Sequence, residues 1–335
     1  MNVVILGAGA WGSAMAIHLN RCGQRVTLIP RRLEQALDIA GSRENKVYLP
    51  GVEFPQDIQL AANAAPALLE CDVLVFACPS KALRATAESV KAILDNNPRK
   101  PLALLVLCKG LEADSFLPPE SVLSQVLPGI PTGTISGPTN AAEVAAGLPV
   151  AVVFASTCDE ATAQQIQQEF SNTTFRVYRS SDVIGVELGG SLKNIYAIAA
   201  GICDGMKLGA NARASLLTRA LTEMSRLIAS FGGNAETVQG LSGMGDLIAT
   251  ATADWSRNRQ FGLQIGREGI RAAMQKMSSG TSIVEGYYAT KNFYEYAQSK
   301  KISAPILKCV HAIVYCDVDP RDAIDALMTR DLKSE

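Results

Sequence analysis

The sequence predicts an α/β domain with a mainly parallel sheet, followed by an all-α domain. Short apolar runs alternate with helical patterns through the first half of the chain, which is typical of βαβ units. Beyond Arg179 the strand patterns stop and long helical patterns take over. The 335 residues correspond to about two domains. We therefore expect one domain over residues 1–180 and a helical domain over residues 181–335.

Composition and charge narrow the function classes. The chain is 48% hydrophobic and 19% charged, with a net charge of −1, so it has no overall field that would recruit nucleic acid or an acidic membrane. The longest apolar stretch is interrupted by glycines and charged residues, and a membrane span needs about 18 to 20 apolar residues. We expect no stable membrane insertion, no cleaved leader at the N-terminus and a cytoplasmic protein.

The cysteines and histidines do not suggest a metal site. The eight cysteines are scattered, and several lie in apolar strand or helix patterns, which favours reduced core thiols over disulfides or a CxxC site. Only two histidines occur, His18 and His311, without a spacing typical of metal ligands. We interpret both as structural residues and expect no metal.

The first strand pattern, Asn2–Leu6, runs directly into a GxGxxG motif and an amphipathic helix. The first glycine permits a tight turn, the second lets a pyrophosphate approach, and the third lets helix and strand pack closely. This context predicts a Rossmann-type dinucleotide site, although a glycine-rich turn without a ligand is the alternative reading. The turn comprises Gly7, Ala8, Gly9, Ala10, Trp11 and Gly12.

The end of the second strand pattern bears on the choice of coenzyme. Arg25–Ile29 is followed by Pro30 and then by Arg31 and Arg32, where an NAD site carries an acidic residue for the ribose 2′-hydroxyl. Two arginines suit a 2′-phosphate instead. The pattern favours NADPH over NADH, and an exposed basic loop is the alternative.

Later strand patterns end in polar loops at the edge of the sheet where ligands bind. Asp72–Cys78 and Leu102–Cys108 are apolar runs with a helical pattern, Ser80–Leu94, between them. Lys109 directly follows the second run, so it is a candidate ligand-binding residue or else a solvated lysine. Two further strands, Val150–Ala155 and Thr174–Tyr178, are predicted around the helix Asp159–Phe170.

The segment Ile135–Asn140 (ISGPTN) follows another short strand and leads into a helix start. We expect the free amides of that helix start to face an anion or a carboxamide.

The most informative stretch is the apolar helix predicted over Leu192–Met206, which carries Lys193 near its start. An ammonium in apolar surroundings is costly unless a partner or a task keeps it there, and a buried lysine gives up its proton more readily. A lysine that extends its ammonium into water is the alternative. We interpret Gly209 as the C-cap, and Asn211 as the N-cap of a helix over Ala212–Ser230.

The last third contains two polar candidate segments. A glycine-rich bend, Leu241–Asp246, ends in a carboxylate, and Ser256–Arg259 (SRNR) precedes a helical pattern. The latter is a candidate phosphate clamp, or a capping serine followed by exposed arginines. Three more helices are predicted, beginning around Ile283–Tyr287 and covering Ala304–Cys316 and Arg321–Met328.

Together these motifs resemble the bacterial NAD(P)-dependent glycerol-3-phosphate dehydrogenase family along essentially the whole chain. The matching segments occur in the family's order and spacing: GAGAWG at 7–12, CKGLE at 108–112, SGPTNAAEVAAGLP at 136–149, LKNIYAIAAGICDG at 192–205, GANARASLLTRALTEM at 209–224, GMGDLIAT at 243–250, SRNRQFG at 256–262 and VEGY at 284–287. The resemblance implies reduction of dihydroxyacetone phosphate to sn-glycerol 3-phosphate for glycerophospholipid biosynthesis, and a homodimer.

The resemblance also implies residue roles. Lys193 matches the family's proton donor and acceptor, and Asp246 would orient its ammonium. Substrate contacts are implied for Lys109, Gly137, Thr139, Lys193, Asp246, Ser256, Arg257 and Asn258. Beyond the glycine turn and the two arginines, cofactor contacts are implied for Lys109, Ala141, Arg257, Ile283 and Glu285.

Two alternatives remain at this level. A dehydrogenase of the β-hydroxyacid or 6-phosphogluconate type would share the domain order and a catalytic lysine but act on a carboxylate substrate. A nucleotide sensor without activity would bind NADPH without oxidising it, and would need no lysine in an apolar helix.

Overall fold

In a computed structural model of the chain, which describes residues 1–279 and 284–332, the polypeptide divides into two compact units. The first unit comprises Met1–Glu112 and Leu117–Glu187, and the second comprises Ala113–Phe116 and Leu188–Glu335. The domain boundary after residue 180 stays a prediction.

The first unit contains all the described strands. They are β1 (Asn2–Leu6), β2 (Arg25–Ile29), β3 (Glu44–Asn45), β4 (Leu49–Glu53), β5 (Gln59–Leu60), β6 (Val73–Phe76), β7 (Ala103–Val106), β8 (Thr132–Ser136), β9 (Val150–Ser156) and β10 (Phe175–Ser180). Eight of them form one sheet in the order β10-β9-β8-β7-β6-β1-β2-β5, while β3 and β4 form a separate antiparallel hairpin.

Seven helices separate these strands: α1 (Ala10–Arg21), α2 (Leu33–Ser42), α3 (Ala65–Leu68), α4 (Leu83–Asn96), α5 (Pro119–Val126), α6 (Ala141–Ala146) and α7 (Glu160–Phe170). The predicted parallel sheet is confirmed, except that β9 runs antiparallel to β8. The sequence predicted neither this reversal nor the β3–β4 hairpin.

The pattern of β1 explains how the sheet is covered on both faces. Val3 and Ile5 belong to one apolar cluster that includes α1, whereas Val4 and Leu6 belong to a second cluster that includes α4. Successive side chains of a strand point to opposite faces, so a continuous apolar run is required. Because the chain leaves β1 first towards β2 and later towards β6, the loop after β1 lies at a switch point, where such sheets bind ligands.

The described residues of the second unit form helices joined by turns and loops, without a strand. Helix α8 (Val183–Gly205) begins at the end of the first unit and continues into the second. It is followed by α9 (Ala210–Ser230), α10 (Asp246–Thr252), α11 (Arg257–Glu268), α12 (Ile270–Ser279), α13 (Glu285–Ser299), α14 (Pro305–Cys316) and α15 (Pro320–Met328). The predicted all-α region is confirmed.

The ends of α8 and α9 differ from the prediction. Lys207 adopts the left-handed conformation after α8, with φ +58°, and α9 already starts at Ala210. Gly209, with φ +89°, is the N-cap of α9 rather than the C-cap of α8, and Asn211 lies inside the first turn. The prediction was wrong because Gly209 suits either end and a lysine took the left-handed position.

The start of α8 was also predicted too late. Helix α8 starts nine residues before Leu192, so glycines 185, 189 and 190 lie within it. A Cβ on Gly189 would come within 2.9 Å of the carbonyl oxygen of Ser242. Close packing is therefore the reason for at least this glycine.

A buried carboxylate ties three helices of the second unit together. Glu223 on α9 accepts hydrogen bonds from the amides of Ile306 (2.9 Å) and Leu307 (2.8 Å) at the start of α14, and from the Tyr196 hydroxyl of α8 (3.1 Å). Burial raises the pKa of the Glu223 carboxyl. Helix α14 has no side-chain cap from its own N-cap residue, so Glu223 supplies it.

His18 is a buried residue of α1. Its Nε2 donates to the carbonyl oxygen of Phe170 (2.8 Å), and its ring stacks on Phe175 at 3.9 Å. Burial lowers the pKa of His18 from 6.5 to about 4, because the interior disfavours the imidazolium.

The His18 environment makes stability depend on pH in a defined direction. Below pH 6.5 the unfolded chain takes up a proton that the folded chain refuses until about pH 4, so His18 costs stability as the pH falls. From pH 7 to 5 the loss should be about 2 kcal/mol. We expect urea unfolding to show this extra loss in wild type relative to His18→Gln. Parallel pH profiles of the two proteins would contradict the assignment.

Candidate active site

The glycine turn after β1 has the geometry of a dinucleotide site. Gly7 has φ +117°, and a Cβ there would lie 2.7 Å from the carbonyl oxygen of Ala77, while a Cβ on Gly12 would overlap the Gly7 carbonyl. A Cβ on Gly9, in contrast, would meet nothing within 4 Å. The first and third glycines are thus required by packing, and the space at Gly9 is what a pyrophosphate needs.

The N-terminus of α1 is suited to an anion. Gly9 is its N-cap without a side-chain hydrogen bond, and the first turn contains no acidic residue. Uncapped amides and the positive end of the helix dipole favour a negatively charged group there. Ala10 and Trp11 occupy the first positions of this helix, as expected for cofactor-binding residues.

Two side chains that were not predicted from the sequence hold the glycine turn in place. Gln35 Nε2 and Asn45 Nδ2 each donate to the carbonyl oxygen of Ala8 at 2.9 Å, and Asn45 Nδ2 also lies 2.8 Å from Ser13 Oγ. Asn45 is buried. Because the Ala8 carbonyl is held by these amides, the turn is set before a ligand arrives. Asn45 belongs to the unpredicted hairpin strand β3, which gave no signal for this role.

Arg31 and Arg32 are exposed at the end of β2, and Arg32 is the N-cap residue of α2. Neither guanidinium has a partner within residues 1–279 and 284–332. Both are therefore available to an anionic group.

Lys109 and Gly137 follow neighbouring parallel strands, β7 and β8. Lys109 is half-buried. Gly137 has φ +151°, and a Cβ there would lie 3.1 Å from the carbonyl oxygen of Ala151. Thr139 Oγ1 donates to the Gly137 carbonyl at 3.1 Å. These residues of the first unit therefore lie near the carboxyl edge of its sheet.

The predicted free amides after this segment are not free. Asn140 is the N-cap of α6, and its Oδ1 accepts from the amides of Ala142 (2.9 Å) and Glu143 (3.1 Å). The expectation of an anion site on those amides was wrong, because the preceding asparagine satisfies them. Ala141, an expected cofactor contact, begins this helix.

In the second unit, Lys193 and Asp246 form a buried ion pair. Lys193 Nζ donates to Asp246 Oδ1, and the two side chains are 8% and 0% exposed. Thr250, one turn further along α10, has its Oγ1 3.4 Å from the same carboxylate oxygen. The ammonium is thus not extended into water. The structure agrees with the reading in which a partner holds it.

The glycine-rich segment before Asp246 determines where this carboxylate lies. Leu241–Gly245 forms one turn of π-helix that leads directly into α10. A Cβ on Gly243 would overlap the carbonyl of Val238, and the turn packs closely on Gly189 of α8. Gly189 lies one turn before Lys193, so the close packing brings Asp246 to the lysine.

A second polar network surrounds Asn194, the residue after Lys193. Asn194 Oδ1 accepts from Asn258 Nδ2 (2.8 Å), and Asn194 Nδ2 lies 3.3 Å from Glu285 Oε2. Asn258 Oδ1 in turn accepts from the amide of Gly286 (2.9 Å). The carboxamides of Asn194 and Asn258 therefore connect α8, α11 and α13 in one closed circuit. No role was predicted for Asn194 from the sequence.

The residues of the Ser256–Arg259 segment have different structural roles. Ser256 is the N-cap of α11, with its Oγ accepting from the amide of Arg259 (3.3 Å), and it is buried like Asn258. Arg259 is ion-paired with Asp204 and Asp254. Arg257 is exposed and has no partner in the described part of the chain. Of the two arginines, Arg257 is the one available to a substrate.

Of the two cofactor contacts expected near α13, Glu285 is exposed at the helix start, whereas Ile283 lies outside the described residues. Among residues 1–279 and 284–332, no group of three or more His, Cys, Asp or Glu side chains is arranged to hold a metal ion.

Comparison with known protein families agrees with this geometry. Residues 2–162 match the family model of the NAD-dependent glycerol-3-phosphate dehydrogenase N-terminus, and residues 182–325 match that of the C-terminus. The chain belongs to this family.

Relatives of glycerol-3-phosphate dehydrogenase type match over the full length. The glycerol-3-phosphate dehydrogenase [NAD(P)+] of Thermoanaerobacter sp. (strain X514) is 40% identical, with 100% of this chain and 99% of that protein covered. The corresponding Acidovorax sp. (strain JS42) protein is 41% identical over 99% of this chain and 98% of its own length. The family resemblance and its NAD(P)-dependent oxidoreductase class are confirmed.

Solved structures support the same fold. The crystal structure of glycerol-3-phosphate dehydrogenase from Coxiella burnetii has a TM-score of 0.89 at 39% identity and covers 98% of both chains. The Plasmodium falciparum enzyme has a TM-score of 0.90 at 22% identity, which supports the fold alone. No helix in the described ranges is long and apolar enough to cross a bilayer.

Proposed function

We propose that this member of the glycerol-3-phosphate dehydrogenase family reduces dihydroxyacetone phosphate to sn-glycerol 3-phosphate with NAD(P)H, and that Lys193 transfers the proton. The relatives' names specify glycerol 3-phosphate and NAD(P)+. The observation that carries the residue assignment is the buried Lys193–Asp246 pair, whose lysine lies on the mainly apolar helix α8. The product heads glycerophospholipid synthesis.

The coenzyme supplies the hydride for the carbonyl carbon when it is bound. The carbonyl oxygen then develops negative charge, and an ammonium stabilises that charge and donates a proton to it. Lys193 is left as a neutral amine that regains its proton from solvent. In the reverse direction the amine accepts the proton of the C2 hydroxyl.

Asp246 has two tasks in this proposal. It offsets part of the cost of burying the ammonium, and it fixes the direction in which Nζ points. Thr250 Oγ1, 3.4 Å from Asp246 Oδ1, helps to orient the carboxylate. An ammonium carries three N–H donors, so a lysine that binds a carboxylate can also donate to a substrate oxygen.

We assign the substrate phosphate to Arg257 at the N-terminus of α11. Its exposed guanidinium lacks a partner within the described residues, and a guanidinium can give a phosphate two parallel charge-assisted hydrogen bonds. The side chains of Ser256 and Asn258 are already engaged in the helix cap and the amide circuit. Substrate contacts of Lys109, Gly137, Thr139, Ser256 and Asn258 stay predictions from the resemblance.

For the coenzyme, we propose that the turn from Gly7 to Gly12 holds the pyrophosphate at the N-terminus of α1. Arg31 and Arg32 would bind the 2′-phosphate of NADPH, which makes NADPH the preferred coenzyme. Contacts from Ala141, Arg257 and Glu285 stay predictions. A cytoplasmic homodimer, as the resemblance implies, completes the proposal.

The acid/base role predicts a large loss of turnover in Lys193→Met. The rate of NADPH oxidation with saturating dihydroxyacetone phosphate should fall by about 10² to 10⁴, while NADPH binding is kept. Lys300→Met removes an exposed lysine of the same unit and serves as the control. Because Lys193→Met removes the ammonium that balances the charge of the buried Asp246 carboxylate, the double variant Lys193→Met, Asp246→Asn is measured beside it. Turnover within a few-fold of wild type would exclude the role.

The coenzyme assignment predicts a selective effect of replacing Arg31 and Arg32 by glutamine. NADPH affinity should fall by about 1.5–3 kcal/mol per lost charged hydrogen bond, and NADH affinity should hardly change. Fluorescence titration with each coenzyme measures both. Arg25→Gln, at the opposite end of β2, should leave both unchanged. Equal losses for NADPH and NADH would point to a role in the fold or at the pyrophosphate.

The phosphate assignment predicts that Arg257→Ala distinguishes two substrates. Activity on dihydroxyacetone phosphate should fall about 10²-fold or more, because phosphate binding also positions the carbonyl. The weak activity on dihydroxyacetone, which lacks the phosphate, should barely change. Arg257→Lys keeps the positive charge but cannot give the phosphate two parallel hydrogen bonds, so it should retain only part of the wild-type activity.

The control is Arg267→Ala, which removes an exposed arginine from the last turn of the same helix. NADPH affinity is measured in parallel, since the resemblance also places Arg257 near the coenzyme. An equal loss on both substrates at saturating NADPH would exclude the phosphate role.

A further inference from the structure

We infer that Arg259 is a positioning residue, which holds the N-terminus of α11 against α8 and thereby places Arg257 for the substrate phosphate. This inference rests on the proposed role of Arg257. Arg259 is the second arginine of the SRNR segment, two residues after the proposed phosphate ligand.

All three nitrogens of the Arg259 guanidinium donate hydrogen bonds within the second unit. Nε and Nη2 donate to Asp204 Oδ2 at 3.1 and 2.8 Å, and Nη1 donates to Asp254 Oδ1 at 2.8 Å. Its side chain is only 12% exposed. Arg259 therefore does not serve as a second phosphate ligand, and its function lies in what it holds together.

The partners of Arg259 lie on both sides of the helix start. Asp254 belongs to the turn that leads into α11, while Asp204 belongs to the last turns of α8. The N-cap Ser256 and the residues Arg257 and Asn258 lie between Asp254 and Arg259 in sequence. One planar side chain thus fixes the entering turn, the first helical turn and the neighbouring helix.

Glycines set how closely α8 and α11 approach but leave their register to other contacts. A Cβ on Gly201 would overlap the carbonyl of Arg259, and one on Gly262 would overlap that of Ile198. Cβ atoms on Gly205 and Gly266 would each lie 2.5 Å from a backbone oxygen of the other helix. Such contacts bring the backbones close without directional bonds, whereas the Arg259–Asp204 hydrogen bonds have a defined direction.

A second arginine also contacts Asp204, the carboxylate that binds Arg259. Arg213 Nη1 approaches both carboxylate oxygens of Asp204, at 3.2 and 3.5 Å, so this mostly buried carboxylate lies between two guanidinium groups. Replacing Arg259 by lysine retains the charge but not the three donors in one plane. Lysine should therefore maintain the fold and lose the placement of Arg257.

The test uses Arg259→Lys and Asp204→Asn, with KM and kcat for dihydroxyacetone phosphate measured separately. A displacement of about 1 Å remote from the chemistry can reduce the rate about 10²-fold, so we expect a rise in KM of about tenfold and a kcat/KM loss up to about 10². Activity on dihydroxyacetone at saturating NADPH should stay within about twofold of wild type, since this substrate has no phosphate for Arg257 to bind. NADPH affinity is measured in parallel, since the resemblance also places Arg257 near the coenzyme.

The matched control is the exposed pair Arg271–Asp317 of the same unit, at 2.9 Å and 88% and 53% exposed. Arg271→Lys and Asp317→Asn should leave both kinetic parameters unchanged. If Arg259→Lys does not fold, Asp254→Asn removes only the exposed arm of the network, because Asp254 is 94% exposed. It should raise KM for dihydroxyacetone phosphate in the same direction by a smaller factor.

The deciding measurement is Arg259→Lys in the Arg257→Ala background. If Arg259 acts by placing Arg257, the second substitution should add no further loss on dihydroxyacetone phosphate. The inference would be overturned if the activity losses of the two substitutions multiplied, or if Arg259→Lys reduced activity on dihydroxyacetone equally. Neither result would contradict the phosphate role of Arg257. No selective loss in Arg257→Ala alone would instead refute the phosphate clamp, and the positioning role with it.

Discussion

The buried contact between the Lys193 ammonium and the Asp246 carboxylate is the constraint on which the second unit depends. Two charges removed from water are stable only if they meet in good geometry and if nearby groups satisfy their remaining hydrogen-bonding atoms. The apolar faces of α8 surround the lysine. The π-helical turn and its close packing on Gly189 bring the Asp246 carboxylate next to the lysine. Without this packing, the same helix would bury the lysine without its carboxylate partner.

Close backbone approach recurs wherever the molecule places a polar group accurately. In the first unit, Gly7 and Gly12 let β1, β6 and α1 approach, and this leaves the amides of α1 facing open space. In the second unit, glycines on α8, α11 and α13 allow the amide circuit to close over short distances. Glycine provides proximity in each case, and a buried asparagine or an ion pair then provides direction.

The sequence predicted the parts of the site whose signals are local. The GxGxxG turn occupies six consecutive residues after an apolar strand, and Lys193 is conspicuous because most residues of its helix are apolar or small. Both signals follow from neighbours along the chain. The helix cap at Asn140 has an equally local signal, since an asparagine directly before a helix start accepts hydrogen bonds from the amides of the first turn. Those amides are therefore not open to a ligand.

Other features of the site depend on contacts between distant segments, and neighbouring residues in the sequence do not indicate them. Asn45 reaches the glycine turn from a hairpin whose strands are short and largely exposed. Asn194 and Asn258 are 64 residues apart, and the ion pairs of Arg259 depend on the register of α8 with α11. An isolated asparagine or arginine in the sequence cannot show which distant partner will satisfy it, because tertiary packing decides that.

The cap that Glu223 provides for α14 has a consequence for how the C-terminal helices fold. The first amides of α14 are satisfied by a carboxylate located more than eighty residues earlier, and open amides at a helix start are unfavourable. Helix α14 therefore completes its first turn only when α9 is in place, and the two belong to one cooperative unit. Amides in these two helices should exchange with solvent through a shared opening event rather than by fraying from the C-terminus.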